Sequence, residues 1–233
     1  MKTYIIRLHK NSLSCELAKN AYDAALKHNY NPIYFQAVDG NQGEAFLKAN
    51  NIKLVANEKT LDWTPGTKGC FVSHWNLWNM CNEQQEPFVI LEHDGIPIRE
   101  LSGNIINEVR DVCHLDAFLP FSSQYNPDSE EYFDVYDKKV RVCDQEGLHR
   151  YPSNNFYGST NGTGSSFRGA YGYMITPQGA KKLIDFVHRH GAYPADRTIC
   201  EKAVFLHRTN CTYVRYHPFF RSITAQRNFT TRN

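Results

Sequence analysis

The chain has 233 residues with 26 basic and 24 acidic side chains, a net charge of +2 at pH 7. This balance disfavours a nucleic acid as the main partner, because proteins that bind polyanions carry a clear basic excess. Hydrophobic residues make up 41% of the chain and aromatic residues 13%, which excludes a disordered chain and favours one large globular domain over residues 1–233.

The chain begins with MKTYIIR and has no apolar run near the ~20 residues that cross a bilayer. It therefore shows no signal peptide and no integral membrane segment, and we expect a cytoplasmic protein. The seven cysteines are scattered and lack a C-x-x-C pair. We expect reduced thiols rather than a disulfide framework or a zinc knuckle.

The first 40 residues predict a strand, a helix and a second strand. Residues 4–8, YIIRL, form a short, largely apolar run that predicts the first strand. Helical spacing begins at Ser14, the expected N-cap, and continues to residue 28, and residues 33–38 again predict a strand. A strand, a helix and a strand within about 35 residues are typical of a βαβ unit. The predicted fold class is therefore α/β with a mostly parallel central sheet.

A buried helix is predicted over residues 69–81, and the continuous apolar run 88–91 predicts a strand buried on both faces. That strand leads directly into Glu92-His93-Asp94-Gly95. Ligands of open α/β sheets bind at the carboxyl ends of strands. These four residues are therefore the leading candidate for a site.

Residues 117–121 predict another strand, and about 122–168 form a polar, irregular insertion. Within the insertion, residues 132–136 and 140–142 alternate in a way that indicates a hairpin. The glycine-rich stretch 158–169 fits neither G-x-G-x-x-G nor a P-loop. The insertion therefore gives no sign of a dinucleotide or P-loop nucleotide site.

The last third predicts a strand at 171–176, a helix, a second helix after residue 193 and a final strand at 211–216. Thr176 is the expected N-cap of the first of these helices, with Pro177 at its first position, and Gly191 ends it.

Glu92 and Asp94 are the strongest candidates for chemistry. In extended backbone the side chains of residues i and i+2 point the same way, so both carboxylates can face one divalent cation. The alternative is a solvated strand end. His217, before Pro218, is either a distant imidazole ligand or a surface histidine.

Two further candidates have equally plain alternatives. His74, beside Ser73 in the predicted helix, is either a hydrogen-bonded core histidine or a group near a phosphate site at the helix N-terminus. Asp196 is either an N-cap or a general base that faces the substrate.

Five ordered motifs resemble those of glycosyltransferase family 25, which includes bacterial lipooligosaccharide galactosyltransferases and collagen hydroxylysine galactosyltransferases. They are AVDG at 37–40, GTKGCFVSH at 66–74, LEHD at 91–94, GYMIT followed by GAKKL at 172–183, and PAD at 194–196. The resemblance covers most of the chain.

The resemblance implies a GT-A-like, Rossmann-type nucleotide-sugar fold with the insertion on the acceptor side. It also implies inverting transfer of galactose or glucose from a UDP-sugar to a glycan or glycoconjugate hydroxyl, with Mn²⁺ or Mg²⁺ as cofactor. Asp196 would be the catalytic base. The implied metal ligands are Glu92, Asp94 and His217, and the implied donor-binding residues are Asp39, Lys68, Ser73, His74, Glu92 and Asp94.

Three positions depart from the family pattern: Arg7 and Thr67 stand where an Asn and an acidic residue are usual, and His93 replaces a middle Asp. The departures leave open a degenerate protein of the same fold that binds a sugar nucleotide or glycan without turnover. A metal-dependent phosphoesterase is a third possibility, but its compact His/Asp motifs are missing.

Overall fold

The computed structural model describes residues 1–55, 63–116, 146–150, 166–167 and 169–215, together with the backbone of 131–133, 139–141 and 216. The helices are α1 Ser12–Lys27, α2 Gly40–Ala49, α3 Pro65–Gln84, α4 Gly103–Glu108, α5 Pro177–His190 and α6 Ala195–Thr198. The strands are β1 Lys2–Arg7, β2 Asn31–Gln36, β3 Phe88–Glu92, β4 Gly95–Pro97, β5 Val112–His114, β6 Glu131–Phe133, β7 Lys139–Arg141, β8 Leu148–Arg150, β9 Gly172–Ile175, β10 Leu206–Thr209 and β11 Val214–Tyr216.

Seven strands form one sheet in the order β2-β1-β3-β9-β5-β10-β8. β1 is parallel to β2 and β3, and β5 is parallel to β10. β9 is antiparallel to both β3 and β5, and β8 is antiparallel to β10. Five strands therefore run in one direction, and the expectation of an α/β fold with a mostly parallel sheet is confirmed.

The core lies on both faces of this sheet, because successive side chains of a strand point to opposite faces. Ile90 of β3 and Tyr173 of β9 pack with α3 and α5 on one face. Val89 and Met174, their sequence neighbours, pack with α1 and α4 on the other. The continuous apolar run at 88–91 is thus explained by burial on both sides.

Local sequence signals explain several element ends. The Thr176 hydroxyl accepts a hydrogen bond from the Gly179 amide at 3.1 Å, and Pro177 follows, so the predicted start of α5 is confirmed. β6 and β7 pair in antiparallel fashion, which confirms the predicted hairpin. Pro32 lies within β2, where it is tolerated because β2 is an edge strand.

Other expectations need correction. Asp39 is the N-cap of α2, a helix that the sequence did not predict. Cys211 is disulfide-bonded, so the expectation of seven reduced thiols is wrong for this residue. The strand expected at 117–121 lies outside the described residues. In the part of the chain that the structure describes, no helix is long and apolar enough to cross a membrane.

Candidate functional site

The candidate site lies at the carboxyl edge of the sheet, beside the end of β3. Glu92 is the last residue of this strand, and Asp94 follows it two residues later. The backbone amide of Glu92 donates a hydrogen bond to the Tyr171 carbonyl at 3.1 Å, just before β9 begins. The first residues of β9 therefore flank the acidic tetrapeptide that the sequence predicted.

Three predicted acidic side chains surround one thiol of α3. Part of Cys70 is exposed to solvent. Many protein atoms lie around its sulfur, however, and the resulting desolvation raises the pKa of the thiol well above the usual value. The negative charges of Glu92, Asp196 and Asp94 raise it further, in that order. Glu92, Asp94 and Asp196 are thus brought together around the exposed end of Cys70.

A buried chain of hydrogen bonds holds Glu92 from behind. The Trp78 indole N–H donates to the Tyr173 hydroxyl at 2.9 Å. The same hydroxyl lies 2.8 Å from Nδ1 of His74, and Nε2 of His74 lies 3.0 Å from Oε1 of Glu92. The side chains of Trp78, Tyr173 and His74 are fully buried, so these bonds are shielded from water.

The direction of this chain follows from its donors. An indole nitrogen only donates. Among the described residues, His74 Nδ1 is the one acceptor within reach of the Tyr173 hydroxyl proton, so His74 carries a proton on Nε2 and donates a hydrogen bond to Glu92. We call this Trp78–Tyr173–His74–Glu92 series the relay. His74 is thus the hydrogen-bonded core histidine of the first alternative, and its role near a phosphate stays a prediction.

Glu92 and Asp196 have opposite pKa shifts. Burial is the largest single effect and raises the pKa of Glu92, but the hydrogen bond and charge of His74, with the charge of His93 and the hydrogen bond from Cys70, together outweigh it and leave this pKa below its ordinary value. Burial raises the pKa of Asp196, and the charge of Glu92 raises it further, against the opposing effect of Arg197 and the Gly169 backbone. Paired titratable groups whose pKa values are pushed apart are typical of acid–base sites.

Asp196 occupies the second position of α6, and Pro194 is the N-cap of that helix. The N-cap alternative for Asp196 is therefore wrong.

The donor atoms at the site allow two metal sets. Among the described residues, Cys70, His74 and Glu92 place one ligating atom each within 4.8 Å of one another. In this set, however, His74 already uses Nε2 to donate to Glu92. Glu92 and Asp94 supply carboxylate oxygens, which Mn²⁺ and Mg²⁺ prefer. The pair of carboxylates therefore fits the expected ion better than the set that contains a thiol. His217 lies outside the described residues.

The predicted donor-binding residues of α3 have structural contacts. The buried Ser73 hydroxyl accepts from the Val38 amide at 2.9 Å and donates to the Gly69 carbonyl at 2.8 Å. This link holds Asp39, whose side chain is exposed at the start of α2, against the beginning of α3. Lys68 is bound to Glu44 of α2 at 2.8 Å. Ser73 is thus placed to position Asp39, and its own contacts are with backbone.

Two of the departures from the family pattern have local partners. Thr67 is the third residue of α3, where a capping residue is usual. Its amide donates to the hydroxyl of the N-cap Thr64 at 3.1 Å, and the two hydroxyls lie 2.9 Å apart. The Arg7 guanidinium lies 3.8 Å from the centroid of the Tyr34 ring. Thr67 is therefore the residue whose amide is capped by Thr64 at the start of α3.

Sequence reasoning missed a second layer of buried polar groups behind the site. The Tyr171 hydroxyl donates to the Asp116 carboxylate at 2.6 Å, and Thr212 donates to the other oxygen of Asp116 at 3.0 Å. His114 Nε2 lies 3.4 Å from the Gly169 carbonyl, and burial lowers the pKa of His114 to about 4. These groups hold the Gly169–Tyr171 segment that flanks Glu92 and Asp196. Polar residues at the end of a strand were the only available signal.

Comparisons with known proteins identify a family. The family model described as glycosyltransferase family 25 (LPS biosynthesis protein) matches residues 1–199. The chain is 28% identical over 178 residues to the procollagen lysyl hydroxylase and glycosyltransferase of Acanthamoeba polyphaga mimivirus, covering 72% of this chain and 17% of that protein. It is 22% identical over 142 residues to the lipooligosaccharide biosynthesis protein lic2B of Haemophilus influenzae, covering 56% of this chain and 45% of that protein. The aligned regions thus span less than half of either relative.

Proposed function

This chain belongs to glycosyltransferase family 25, and from that premise we propose that it transfers a hexose, galactose or glucose, from a UDP-sugar to a hydroxyl of a glycan or glycoconjugate. The observation that carries the proposal is the pair of neighbouring carboxyl groups with opposite pKa shifts, Glu92 and Asp196. Glu92 stays ionised to bind, and Asp196, whose pKa is raised, is a stronger proton acceptor than an ordinary aspartate.

In this proposal the acceptor hydroxyl attacks the anomeric carbon, the bond to the diphosphate breaks, and the configuration inverts. Asp196 accepts the proton of the attacking hydroxyl. His74 keeps the Glu92 carboxylate in one orientation through the relay. Asp39, exposed at the start of α2, contacts hydroxyl groups of the nucleotide, and Lys68 lies at the same helix junction.

Glu92 and Asp94 are the residues that would hold a divalent cation, Mn²⁺ or Mg²⁺. Such an ion supplies positive charge that neutralises the departing diphosphate. The GT-A type of fold belongs to the same proposal and is supported by the mostly parallel sheet with an acidic site at its carboxyl edge.

The first experiment measures melting temperature and UDP release together, with a panel of UDP-hexoses and GDP- and CMP-sugars, in Mn²⁺ and in EDTA. A ligand that binds the folded state raises the melting temperature. We expect stabilisation by a UDP-hexose in Mn²⁺, and slow release of UDP. Stabilisation without any release would favour the degenerate binding protein, and no stabilisation by any nucleotide would contradict the proposal.

Asp94→Asn tests the metal ligands. We expect this variant to lose Mn²⁺-dependent stabilisation by the UDP-sugar, whereas Asp23→Asn, which removes an exposed carboxylate of α1, should behave as the unmodified chain. Cys70→Ser should also retain Mn²⁺-dependent binding, because the thiol is not in the proposed ligand pair. If Cys70→Ser loses binding and Asp94→Asn keeps it, the set of Cys70, His74 and Glu92 is the metal site instead.

Asp196→Asn tests the base. Donor binding should survive, and transfer should fall by roughly a hundredfold or more, since general base catalysis contributes ~10²- to 10⁴-fold. Because the pKa of Asp196 is raised, the acid limb of the pH–rate profile should lie above the ~3.9 of an ordinary aspartate. An unchanged rate would remove Asp196 from the mechanism.

A further inference from the structure

A second polar recess lies at the opposite edge of the sheet from the candidate site. It has a volume of about 240 Å³ and is bordered by Arg110, Arg150, Lys182 and Phe205. Val112, two residues after Arg110, pairs with Ile175 of β9, and Ile175 pairs on its other side with Phe88, the first residue of β3. Glu92 lies at the other end of β3, about 13 Å further along the strand at ~3.3 Å per residue. The recess is therefore separate from the carboxylates of the candidate site.

Two guanidinium groups converge on one aromatic ring in this recess. The Cζ atoms of Arg110 and Arg150 lie 4.9 and 5.7 Å from the centroid of Phe205. The two groups are therefore no more than about 11 Å apart. Both arginines are exposed, and neither has a carboxylate partner among the described residues.

Lys182, the third cation of the recess, is paired with a carboxylate. The Asp111 carboxylate receives Lys182 Nζ at 2.6 and 2.9 Å and the Phe205 amide at 2.7 Å. Glu201 contributes a second carboxylate to the lining. Arg110, Arg150 and Lys182 still outnumber these two acids, and the positive excess lies on the paired guanidinium groups.

A neighbouring buried group also lacks a partner. His207 is 9% exposed, and its ring lies 4.8 Å from the ring of Phe205, the residue before β10. Its Nδ1 makes no hydrogen bond with the described residues. Burial, and then the charge of Arg110, lower the pKa of His207, so its ring is neutral near pH 7. Buried polar atoms nearly always have a partner, and His207 pairs with Arg150 across β10 and β8.

We propose that this recess binds a phosphoryl group. A guanidinium presents a planar fork of donors that matches phosphate oxygens. A phosphate monoester carries ~1.5 to 2 negative charges and three acceptor oxygens at pH 7, so it can accept hydrogen bonds from both guanidinium groups. The volume is below the ~300–1,000 Å³ of pockets for drug-sized molecules, so it suits inorganic phosphate or one phosphorylated sugar residue.

The test is isothermal titration of the full chain with inorganic phosphate, glucose 6-phosphate and glucose, without divalent metal. We expect saturable binding of both phosphates and none of glucose. Arg110→Gln and Arg150→Gln should each weaken phosphate binding by tenfold or more. Arg150→Lys, which keeps the charge but loses the fork, should lie between Arg150→Gln and the unmodified chain. Arg189→Gln, which removes one exposed cation from α5, should bind as before.

The comparison of the two phosphates distinguishes a free anion from a phosphate carried on a sugar. The arginine variants distinguish the recess from the candidate site. Tighter binding of glucose 6-phosphate than of inorganic phosphate would assign the recess to a phosphate carried on a sugar, and equal binding would assign it to the free anion. The inference is wrong if neither phosphate binds saturably, or if folded Arg110→Gln and Arg150→Gln proteins bind as tightly as the unmodified chain. Mn²⁺-dependent UDP-sugar binding should be unchanged in both variants, so failure here is distinguishable from failure of the proposed function.

Discussion

Replacing Tyr173 with phenylalanine tests the relay most directly, because it removes one hydroxyl and little else. The change leaves the Trp78 N–H and the His74 Nδ1 atom without their partner, and both side chains are fully buried. A buried polar group that loses its partner costs about 1–3 kcal/mol. Two such groups together should lower the free energy of unfolding by about 2–6 kcal/mol.

Urea denaturation measures this loss. The midpoint should fall by roughly 1 M or more with an unchanged slope, given slopes of ~1–3 kcal/mol per molar urea. Tyr4→Phe is the matched control: this tyrosine is 7% exposed, and its hydroxyl makes no hydrogen bond with the described residues. Its midpoint should hardly move. Equal effects of the two substitutions would refute the relay.

The relay also has a functional signature. Partners that orient a metal ligand change metal affinity by ~10- to 100-fold when they are removed. Tyr173→Phe should weaken Mn²⁺-dependent UDP binding by about tenfold, because His74 is then free to release Glu92. Trp78→Phe leaves the bond from Tyr173 to His74 in place. It should reduce stability with a much smaller effect on binding, and the reverse order would contradict the donor direction given above.

Two further predictions concern stability. Gly69→Ala would place a Cβ 2.4 Å from the Val38 carbonyl oxygen. We therefore expect urea denaturation to show a free energy of unfolding lower by ~1–3 kcal/mol, and UDP binding to weaken as Asp39 moves. Gly103→Ala, whose Cβ would have no atom within 4 Å, is the control and should be neutral. The pKa of His114 is about 4 in the folded chain and ~6.5 when unfolded, so the unfolded state binds the extra proton between these values. The free energy of unfolding should therefore fall by roughly 3 kcal/mol as pH drops from about 6.5 to 4, and His114→Gln should flatten that part of the profile, which a pH series of urea titrations would show.

The parts of the fold that are local in sequence could be predicted. The apolar run of β3 and the Thr176-Pro177 start of α5 each depend on a few adjacent residues, and each lies where the sequence placed it. The helix α1 was also predicted, but its start was wrong: Asn11, and not Ser14, is the N-cap, and its side chain accepts from the Ser14 amide. The helix α2 was missed because Asp39-Gly40 is an equally good turn dipeptide. An aspartate side chain that accepts from the amide two residues later serves a turn and a helix N-terminus alike.

The site was predictable only in part, because some of its side chains become neighbours only in the folded chain. Glu92, Asp94 and Asp196 could be found because they follow a buried strand or match a family motif. Tyr173 and Trp78 could not, because they are separated by 95 residues and each alone reads as an ordinary core aromatic residue. Their polar role exists only after β9 pairs with β3. Likewise, the guanidinium groups of Arg110 and Arg150 both lie near the Phe205 ring only because β8 pairs with β10.

The central position of β9 also affects how the chain folds during synthesis. β3 is complete at residue 92, but the strand that covers its second edge begins at residue 172. At ~5–20 residues per second, ribosomes need roughly 4–16 s to make the intervening chain. During that time the apolar Phe88–Leu91 edge has hydrogen-bonding groups with no permanent neighbour, which is the condition under which strands join the wrong chain. This edge is therefore where slow translation or a delayed insertion would cause aggregation.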